Sequence, residues 1–182
     1  MLTKPEQRVA RKRAADLLGR TGIAIRPEEL HCIEVVDFGF GDLENIGVQI
    51  LTSVSTSEVA VKLLILFPHQ TEPEHRHPPL DDYPGKQETL RCEWGELYLY
   101  TSDQPTLDPS ALPRPGQGET YTVRHEHVLH PGEQISLAPN TRHWFQGGPD
   151  GAVVWTFSTK AVDIKDVFTD PNVVRETVIA DR

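Results

Sequence analysis

Two histidines separated by a single residue are the first feature of the sequence that could do chemistry. His75 and His77 flank Arg76, and side chains that alternate along a β-strand would place both imidazoles on the same face. Imidazole nitrogens are common ligands of divalent transition metals, so the pair could bind one ion. The spacing alone leaves a second interpretation open, in which both histidines lie exposed on a polar loop.

Two segments farther along the chain extend this pattern. Glu88 is followed by Gly95 with six residues between them, and His143 comes shortly after Pro139. The order of His-x-His, Glu and Gly, and then of Pro and His, resembles the two sequence motifs of the cupin superfamily. The gap of ten residues between His77 and Glu88 is longer than that superfamily usually has. Its prolines and glycine would let it form an exposed loop.

The resemblance to cupins implies both a fold and a site. The implied fold is an all-β, jelly-roll barrel with a short N-terminal helix. The implied site is one divalent metal ion bound by His75, His77, Glu88 and His143. Three neutral imidazoles and one carboxylate would leave open coordination positions, which catalysis or ligand capture requires. Ligands of these types accept Mn²⁺, Fe, Co, Ni or Zn.

The rest of the sequence predicts the elements that would position these residues. Pro5 and apolar residues at helical spacing predict a helix over 5–18 that ends at Gly19, and a further helical turn follows over 27–30. Short β-branched and aliphatic runs between turn residues are typical of a sandwich or barrel. These runs predict strands over 34–37, 48–54, 59–67, 88–101, 121–123, 128–129, 134–137, 143–147 and 153–158.

The length of 182 residues favours one domain. We expect a helical extension over 1–30, the barrel over 31–160 and a tail over 161–182. Apolar residues in the tail indicate that it packs back on the barrel.

Longer blocks of sequence are similar to the D-lyxose ketol-isomerase family of cupins. The matching blocks include Pro73-Glu74-His75-Arg76-His77-Pro78, Pro84-Gly85-Lys86-Gln87-Glu88-Thr89, Leu129-His130-Pro131-Gly132-Glu133-Gln134, His143-Trp144-Phe145-Gln146 and Phe168-Thr169-Asp170-Pro171. The resemblance extends over most of 59–171. It implies a Mn²⁺-dependent aldose–ketose isomerase, a homodimer, that converts D-lyxose or D-mannose to D-xylulose or D-fructose through an enediolate.

Sugar isomerisation moves a proton between C1 and C2, so it needs a base in addition to a metal. Lys62 interrupts an otherwise apolar strand, which suggests a catalytic role, although a salt bridge at the barrel mouth would also explain it. The family resemblance implies a glutamate where Thr156 stands, and threonine cannot act as that base. Asp163 and Glu133 are the candidates that remain, with Glu74 as a further one.

Four more residues are candidates for substrate contacts by their chemical type. Amides and ammonium groups bond sugar hydroxyls, and an indole can face a sugar ring. These residues are Gln70, Lys86, Trp144 and Gln146. A second His-x-His pair, His125 and His127, lacks the flanking motif and is expected to be surface polar.

Two other functions are compatible with the same ligand set. Three histidines and a glutamate also suit iron, so an Fe-dependent dioxygenase is one alternative. A non-catalytic sugar-binding cupin, in which Thr156 reflects lost catalysis, is the other. Fold alone cannot choose among these functions.

The charge and composition of the chain exclude several partners. The formal net charge is −9, and the one dense basic run, Arg8 to Arg13, lies on the predicted helix. We therefore expect no nucleic-acid partner. No apolar run is long enough to span a bilayer and the N-terminus does not resemble a signal peptide, so we expect a cytoplasmic protein without a membrane partner. The two cysteines, Cys32 and Cys92, fit a reducing compartment, although the sequence leaves a bridge between them open.

Overall fold

The computed structural model describes residues 1–114 and 116–180 of the chain. The helices are α1 (Lys4–Thr21) and α2 (Pro27–Leu30), with 3-10 turns at Gly118–Thr120 and Asp163–Lys165. The strands are β1 (Leu2–Thr3), β2 (Glu34–Val36), β3 (Val48–Ser55), β4 (Val59–Leu66), β5 (Thr71–Arg76), β6 (Glu88–Thr101), β7 (His125–Leu129), β8 (Gln134–Leu137), β9 (His143–Thr159), β10 (Val167–Phe168) and β11 (Ile179–Ala180).

Helix α1 is longer than the sequence predicted. A capping box begins it: the Thr3 hydroxyl accepts from the Glu6 backbone N–H, and the Glu6 carboxylate accepts from the Thr3 N–H. The predicted end at Gly19 was wrong. The helix continues to Thr21 because Gly22, with φ of 77°, is the residue that takes the left-handed conformation closing the last turn.

Two long strands, β6 and β9, give the sheet its curl. The first half of β9 pairs with β5 and with the second half of β6, while the second half of β9 pairs with β4 and with the first half of β6. The sheet continues from β4 through β3 to β2, and β7 and β8 pair with β6. The result is an all-β cupin barrel preceded by a helix, which is the predicted fold class.

Apolar side chains pack on both sides of this sheet. One cluster fills the barrel and includes Leu66, Leu90, Leu99, Phe145 and Val154. A second cluster lies between the outer face of the sheet and α1, whose buried residues are Ala10, Ala14, Leu17 and Leu18. Because α1 covers the outer face, this part of the sheet is apolar on both sides.

Most strand predictions were confirmed, but β5 was not among the predicted strands. Two other differences have clear causes. The predicted strands over 143–147 and 153–158 form the single strand β9, because β6 pairs with it on both sides of the intervening residues. The predicted strand over 121–123 was wrong. The backbone N–H groups of Thr122 and Val123 donate to the Glu74 carboxylate instead of to a neighbouring strand.

The segment after the barrel packs back on it, as expected. Strand β10 pairs antiparallel with β5, and β11 pairs parallel with β1. Phe168 and Val173 contact the barrel cluster, and Ile179 contacts the cluster under α1. Residues 181 and 182 of the expected tail lie outside the described part of the chain.

Two other expectations concern the surface and the cysteines. None of the described helices combines the length and hydropathy needed to cross a membrane. Cys32 is exposed and Cys92 is buried, and both are free thiols, so no bridge joins them.

A β-bulge on β5 decides which of its side chains face the barrel interior. Glu72 pairs with Phe145 and His75 pairs with His143, so three residues on β5 span the same length as two on β9. On a regular strand Glu72 and His75 would point to opposite faces. The bulge inserts one extra residue and places both on the face shared by His143 and Phe145.

Gly95, the glycine of the first cupin motif, is required by a close backbone approach. Its φ is +74°, and a Cβ there would lie 2.1 Å from the Gly151 carbonyl oxygen. The register of β6 against β9 shifts immediately after Gly95. Gly19 on α1 is a natural comparison, since a Cβ there would meet nothing within 4 Å.

We predict that Gly95→Ala lowers the free energy of unfolding by about 2 kcal/mol or more, because the new methyl group must displace the backbone of β9 at Gly151. The matched change Gly19→Ala is expected to raise it by about 0.5 kcal/mol, since alanine favours a helix interior. Urea unfolding of both variants measures the difference. Equal stability of the two would contradict the close approach at Gly95.

Candidate metal centre and active site

Three buried histidines converge inside the barrel. His75 lies on β5, His77 follows its end, and His143 begins β9. The ring centroids of His75 and His143 are 4.3 Å apart, and those of His77 lie 5.0 and 5.2 Å from the other two. One ring nitrogen of each residue lies within 4.8 Å of those of the other two. The cluster therefore has the dimensions of a site for one ion.

Each histidine is oriented through its Nδ1 atom. The Nδ1 of His75 donates to the Pro73 carbonyl at 2.8 Å, and that of His143 donates to the Thr141 carbonyl at 2.9 Å. The Nδ1 of His77 lies 2.7 Å from the Asp166 carboxylate. Hydrogen bonds of this kind fix the ring and leave Nε2 as the ligand atom, as in most metal sites.

The chemistry of two of the rings, His75 and His143, fits a bound cation. Burial, reinforced by the neighbouring imidazoles, lowers the pKa of His75 well below its usual value and that of His143 to about 3. Both rings are therefore neutral and carry a lone pair. The Nε2 of His143 is buried and has no hydrogen-bond partner among the residues that the structure describes. A buried acceptor without a donor is costly, and a divalent metal ion at this position would remove that cost.

Glu88 lies beside this cluster at the start of β6. Its Oε2 is 3.1 Å from the Nε2 of His77, and its Oε1 accepts from the Lys86 ammonium at 3.2 Å. Burial alone would raise the pKa of Glu88, but Lys86 and His77 outweigh it and hold that pKa well below its usual range. For His77 likewise, burial opposes protonation, but hydrogen bonds to Asp166 and Glu88 raise its pKa.

Asp163 sits among three cations next to the histidines. It forms an ion pair with Lys62, and its carboxylate oxygens lie 3.7 Å from Lys86 and 3.7 Å from Arg175. Burial disfavours the charged form, but Lys86 and Lys62 outweigh burial and lower the pKa of Asp163 to about 2. Asp163 is therefore a fixed anion. Lys62 is on β4, directly across the ladder from Thr156 of β9.

The structure adds three residues that the sequence did not single out. Asp166 orients His77, and Arg175 lines the same cavity from the chain segment after the barrel. Neither Asp166 nor Arg175 belongs to a recognisable sequence motif, so their roles are seen only in how the segment after the barrel packs on it. Glu72 also lines the cavity, and burial, countered by Arg175, raises its pKa to about 8. The sequence did not reveal Glu72, because residues three apart on a regular strand, such as Glu72 and His75, face opposite sides of the sheet.

Two amide residues predicted as sugar contacts lie elsewhere. Gln70 is fully buried, where its side chain accepts from the Phe67 backbone N–H and donates to the Leu43 carbonyl. The side-chain amide of Gln146 donates to the Thr71 hydroxyl at 2.8 Å. The structure does not bring these amides to the cavity.

Three other candidates are also held outside the cavity. Trp144 is buried against Tyr100, with ring centroids 3.9 Å apart, in a separate aromatic cluster. Glu133 lies in the exposed turn before β8, where it accepts from the His130 backbone N–H. Glu74 is fully buried and accepts four hydrogen bonds, from Thr122, Val123 and Thr169. Among the four residues predicted as sugar contacts, Lys86 alone lines the cavity.

We predict that Asp163→Asn lowers the free energy of unfolding by about 2–4 kcal/mol, because Lys62, Lys86 and Arg175 would lose their shared anion. The control is Asp16→Asn, which breaks the exposed Lys12–Asp16 pair and should cost under about 0.5 kcal/mol. Urea unfolding gives both values. A cost at Asp163 no larger than that at Asp16 would contradict the role of Asp163 as the anion of this network.

Comparisons with known proteins place this geometry in context. No family model matches the chain. A protein of Cohnella laeviribosi named D-lyxose ketol-isomerase is 50% identical over 174 residues, covering 96% of each chain. A protein of Thermosediminibacter oceani named D-lyxose/D-mannose isomerase is 49% identical over 181 residues, covering 100% of both.

Solved structures agree in fold at much lower identity. L-ribose isomerase of Acinetobacter sp. DL28, in complex with L-ribose, superposes with a TM-score of 0.80 at 16% identity over 98% of each chain. The enzyme of Cellulomonas parahominis gives 0.77 at 18% identity, also over 98% of each chain. At identities below 20% the similarity shows a shared fold only. The full-length relatives, at about 50% sequence identity, show the family. The chain belongs to the D-lyxose ketol-isomerase family of sugar isomerases.

Proposed function

We propose that this protein is a metal-dependent aldose–ketose isomerase that converts D-lyxose to D-xylulose and D-mannose to D-fructose. The observation that carries the proposal is the convergence of His75, His77 and His143, with Glu88 beside them, in a chain of this family. The names of the full-length relatives support these two substrates.

We propose His75, His77, Glu88 and His143 as the ligands of one divalent ion, with Mn²⁺ as the metal. Support comes from the neutral state of two rings, the unpartnered Nε2 of His143 and the ionised Glu88. When bound, the ion would polarise the sugar oxygens at C1 and C2 and stabilise the negative charge of the enediolate.

The lysines of the cavity are the proposed contacts for the sugar. Lys62 and Lys86 both line it and are both held by Asp163. An ammonium group can donate to hydroxyl oxygens along an open-chain sugar and fix its orientation. Asp163 is then a positioning residue, because its low pKa makes it a poor base and its three cations hold it in place.

Three broader features complete the proposal, of which the homodimer rests on the family resemblance. We propose one cupin domain with the boundaries given above, a homodimer as the working assembly, and a cytoplasmic location. The free thiols of Cys32 and Cys92 fit a reducing compartment.

We predict that protein stripped by a chelator is inactive and that Mn²⁺ restores conversion of D-lyxose and D-mannose. His77→Ala should lose stoichiometric metal and turnover while keeping its β-sheet circular dichroism. The control is His127→Ala, because His127 belongs to the second His-x-His pair and lies away from the cluster. Metal analysis after reloading, together with product assays, tests both.

The outcomes separate the alternatives. Stoichiometric metal in His77→Ala would contradict the ligand assignment. Metal and sugar binding without conversion in the wild type would support the non-catalytic cupin. Aerobic substrate oxidation dependent on Fe²⁺ would support a dioxygenase instead.

We also predict that Lys62→Ala keeps its metal but loses turnover roughly 100-fold, because a donor to the reacting oxygens is removed. Lys12→Ala is the matched control, since Lys12 also pairs with an aspartate but on the exposed face of α1. Steady-state kinetics with D-lyxose measures the effect. Turnover of Lys62→Ala equal to that of Lys12→Ala would remove Lys62 from the mechanism.

A further inference from the structure

We propose that Glu72 is the residue that carries the proton between C1 and C2 of the sugar, and that it replaces the carboxylate expected at Thr156. This inference rests on the proposed isomerase function and deepens it. It assigns a catalytic role to a residue that neither the sequence motifs nor the ligand set includes.

The first argument is the direction of the side chain. The β5 bulge turns Glu72 to the interior face, opposite Phe145, next to the pair formed by His75 and His143. Its Oε1 lies 3.8 Å from the Nε2 of His75. Glu72 and Thr156 line the same cavity. The Glu72 carboxylate on β5 can thus reach the same cavity that a carboxylate at position 156 on β9 would have faced.

The second argument is that Glu72 has a free oxygen. Its Oε2 is buried and has no hydrogen-bond partner, and among the described residues only His75 lies within ion-pair distance of its carboxylate. A base must have a lone pair that is not already held by a donor. Glu72 meets this requirement within the cavity itself.

The other carboxylates of the cavity are already engaged. Glu88 is held by Lys86 and His77, and Asp166 by His77. Asp163 is held by lysines and by Arg175. Each of these anions therefore stabilises a neighbour. Asp163 Oδ1 also lacks a hydrogen bond, but its carboxylate is paired with cations, so among the described carboxylates of the cavity Glu72 is the one left to exchange a proton with a substrate.

The reaction step balances without any other reactant. The Glu72 carboxylate takes the proton from C2 of the open-chain aldose, and the C2–H electron pair forms the C1–C2 double bond while the carbonyl π pair moves to O1. The hydroxyl proton passes from O2 to O1. The Glu72 carboxylic acid then returns its proton to C1, and the electron pair on O2 re-forms a carbonyl at C2. The product is the ketose, and Glu72 ends as a carboxylate.

The test compares wild type with Glu72→Gln, which keeps the shape of the side chain but removes the base. With Mn²⁺ loaded and its stoichiometry measured, Glu72→Gln should lower kcat for D-lyxose roughly 100-fold or more. In D₂O, wild type should exchange the C2 hydrogen of D-lyxose, as followed by NMR, and Glu72→Gln should not. Glu72→Asp should restore part of both the rate and the exchange.

A control and the contrary outcomes complete the experiment. Glu58→Gln changes an exposed carboxylate in the β3–β4 turn and should leave kcat and exchange unchanged. Wild-type kcat or exchange in Glu72→Gln would overturn the assignment, and so would loss of metal from that variant, which would make Glu72 a ligand. A wild type that binds metal but converts neither sugar would instead contradict the proposed function, and this assignment with it.

Discussion

The site depends on the curl of the sheet along its two longest strands, β6 and β9. Glu88 begins β6 and His143 begins β9, and the two strands run antiparallel, so their first residues lie at opposite ends of the shared ladder, opposite Ser158 and Thr101. In a flat sheet such ends would stay far apart. The curl of both strands brings them together, because each strand changes its other partner halfway along. The proximity of these side chains is therefore a product of the curvature of the sheet.

The charge pairs of the cavity follow from the charged residues that the curled sheet brings together. Lys86 is a buried cation, Lys62 and Arg175 are partly buried ones, and Glu88, Asp163 and Asp166 are the anions that face them or the histidines. Buried charges are stable when they are paired and hydrogen-bonded. Glu72 is the remaining acid, and burial, countered by Arg175, raises its pKa to about 8, so both its neutral and its ionised form are populated near neutral pH.

The sequence predicted the parts of the site that follow a regular period or a motif. His75, His77 and His143 come together as the cupin pattern predicted, although β5 ends at Arg76 and His77 follows it, and Glu88 opens a strand whose predicted bounds match β6. Glu72 was missed because a bulge breaks the alternation on which strand reasoning relies. Pro73 lies within the bulge, but a single proline in the sequence does not predict that a bulge forms there.

Tertiary contacts account for the remaining differences. The strand predicted over 121–123 does not form, because the buried Glu74 carboxylate accepts hydrogen bonds from two backbone N–H groups of this segment. Amide and indole chemistry suggested Gln70 and Trp144 as sugar contacts, yet both are fixed inside packed regions. Residue type indicates what a side chain can bond, whereas the fold decides which partner is near.

The contribution of the segment after the barrel has a consequence for how the enzyme matures. His75 and His77 leave the ribosome early, but Asp166, which fixes the ring of His77, and Arg175, which balances the cavity, belong to the last part of the described chain. During synthesis the two histidines thus precede these partners. His77 can gain its hydrogen bond to Asp166 only when the segment of β10 has docked on β5, so the orientation of that ring is completed by the last part of the described chain.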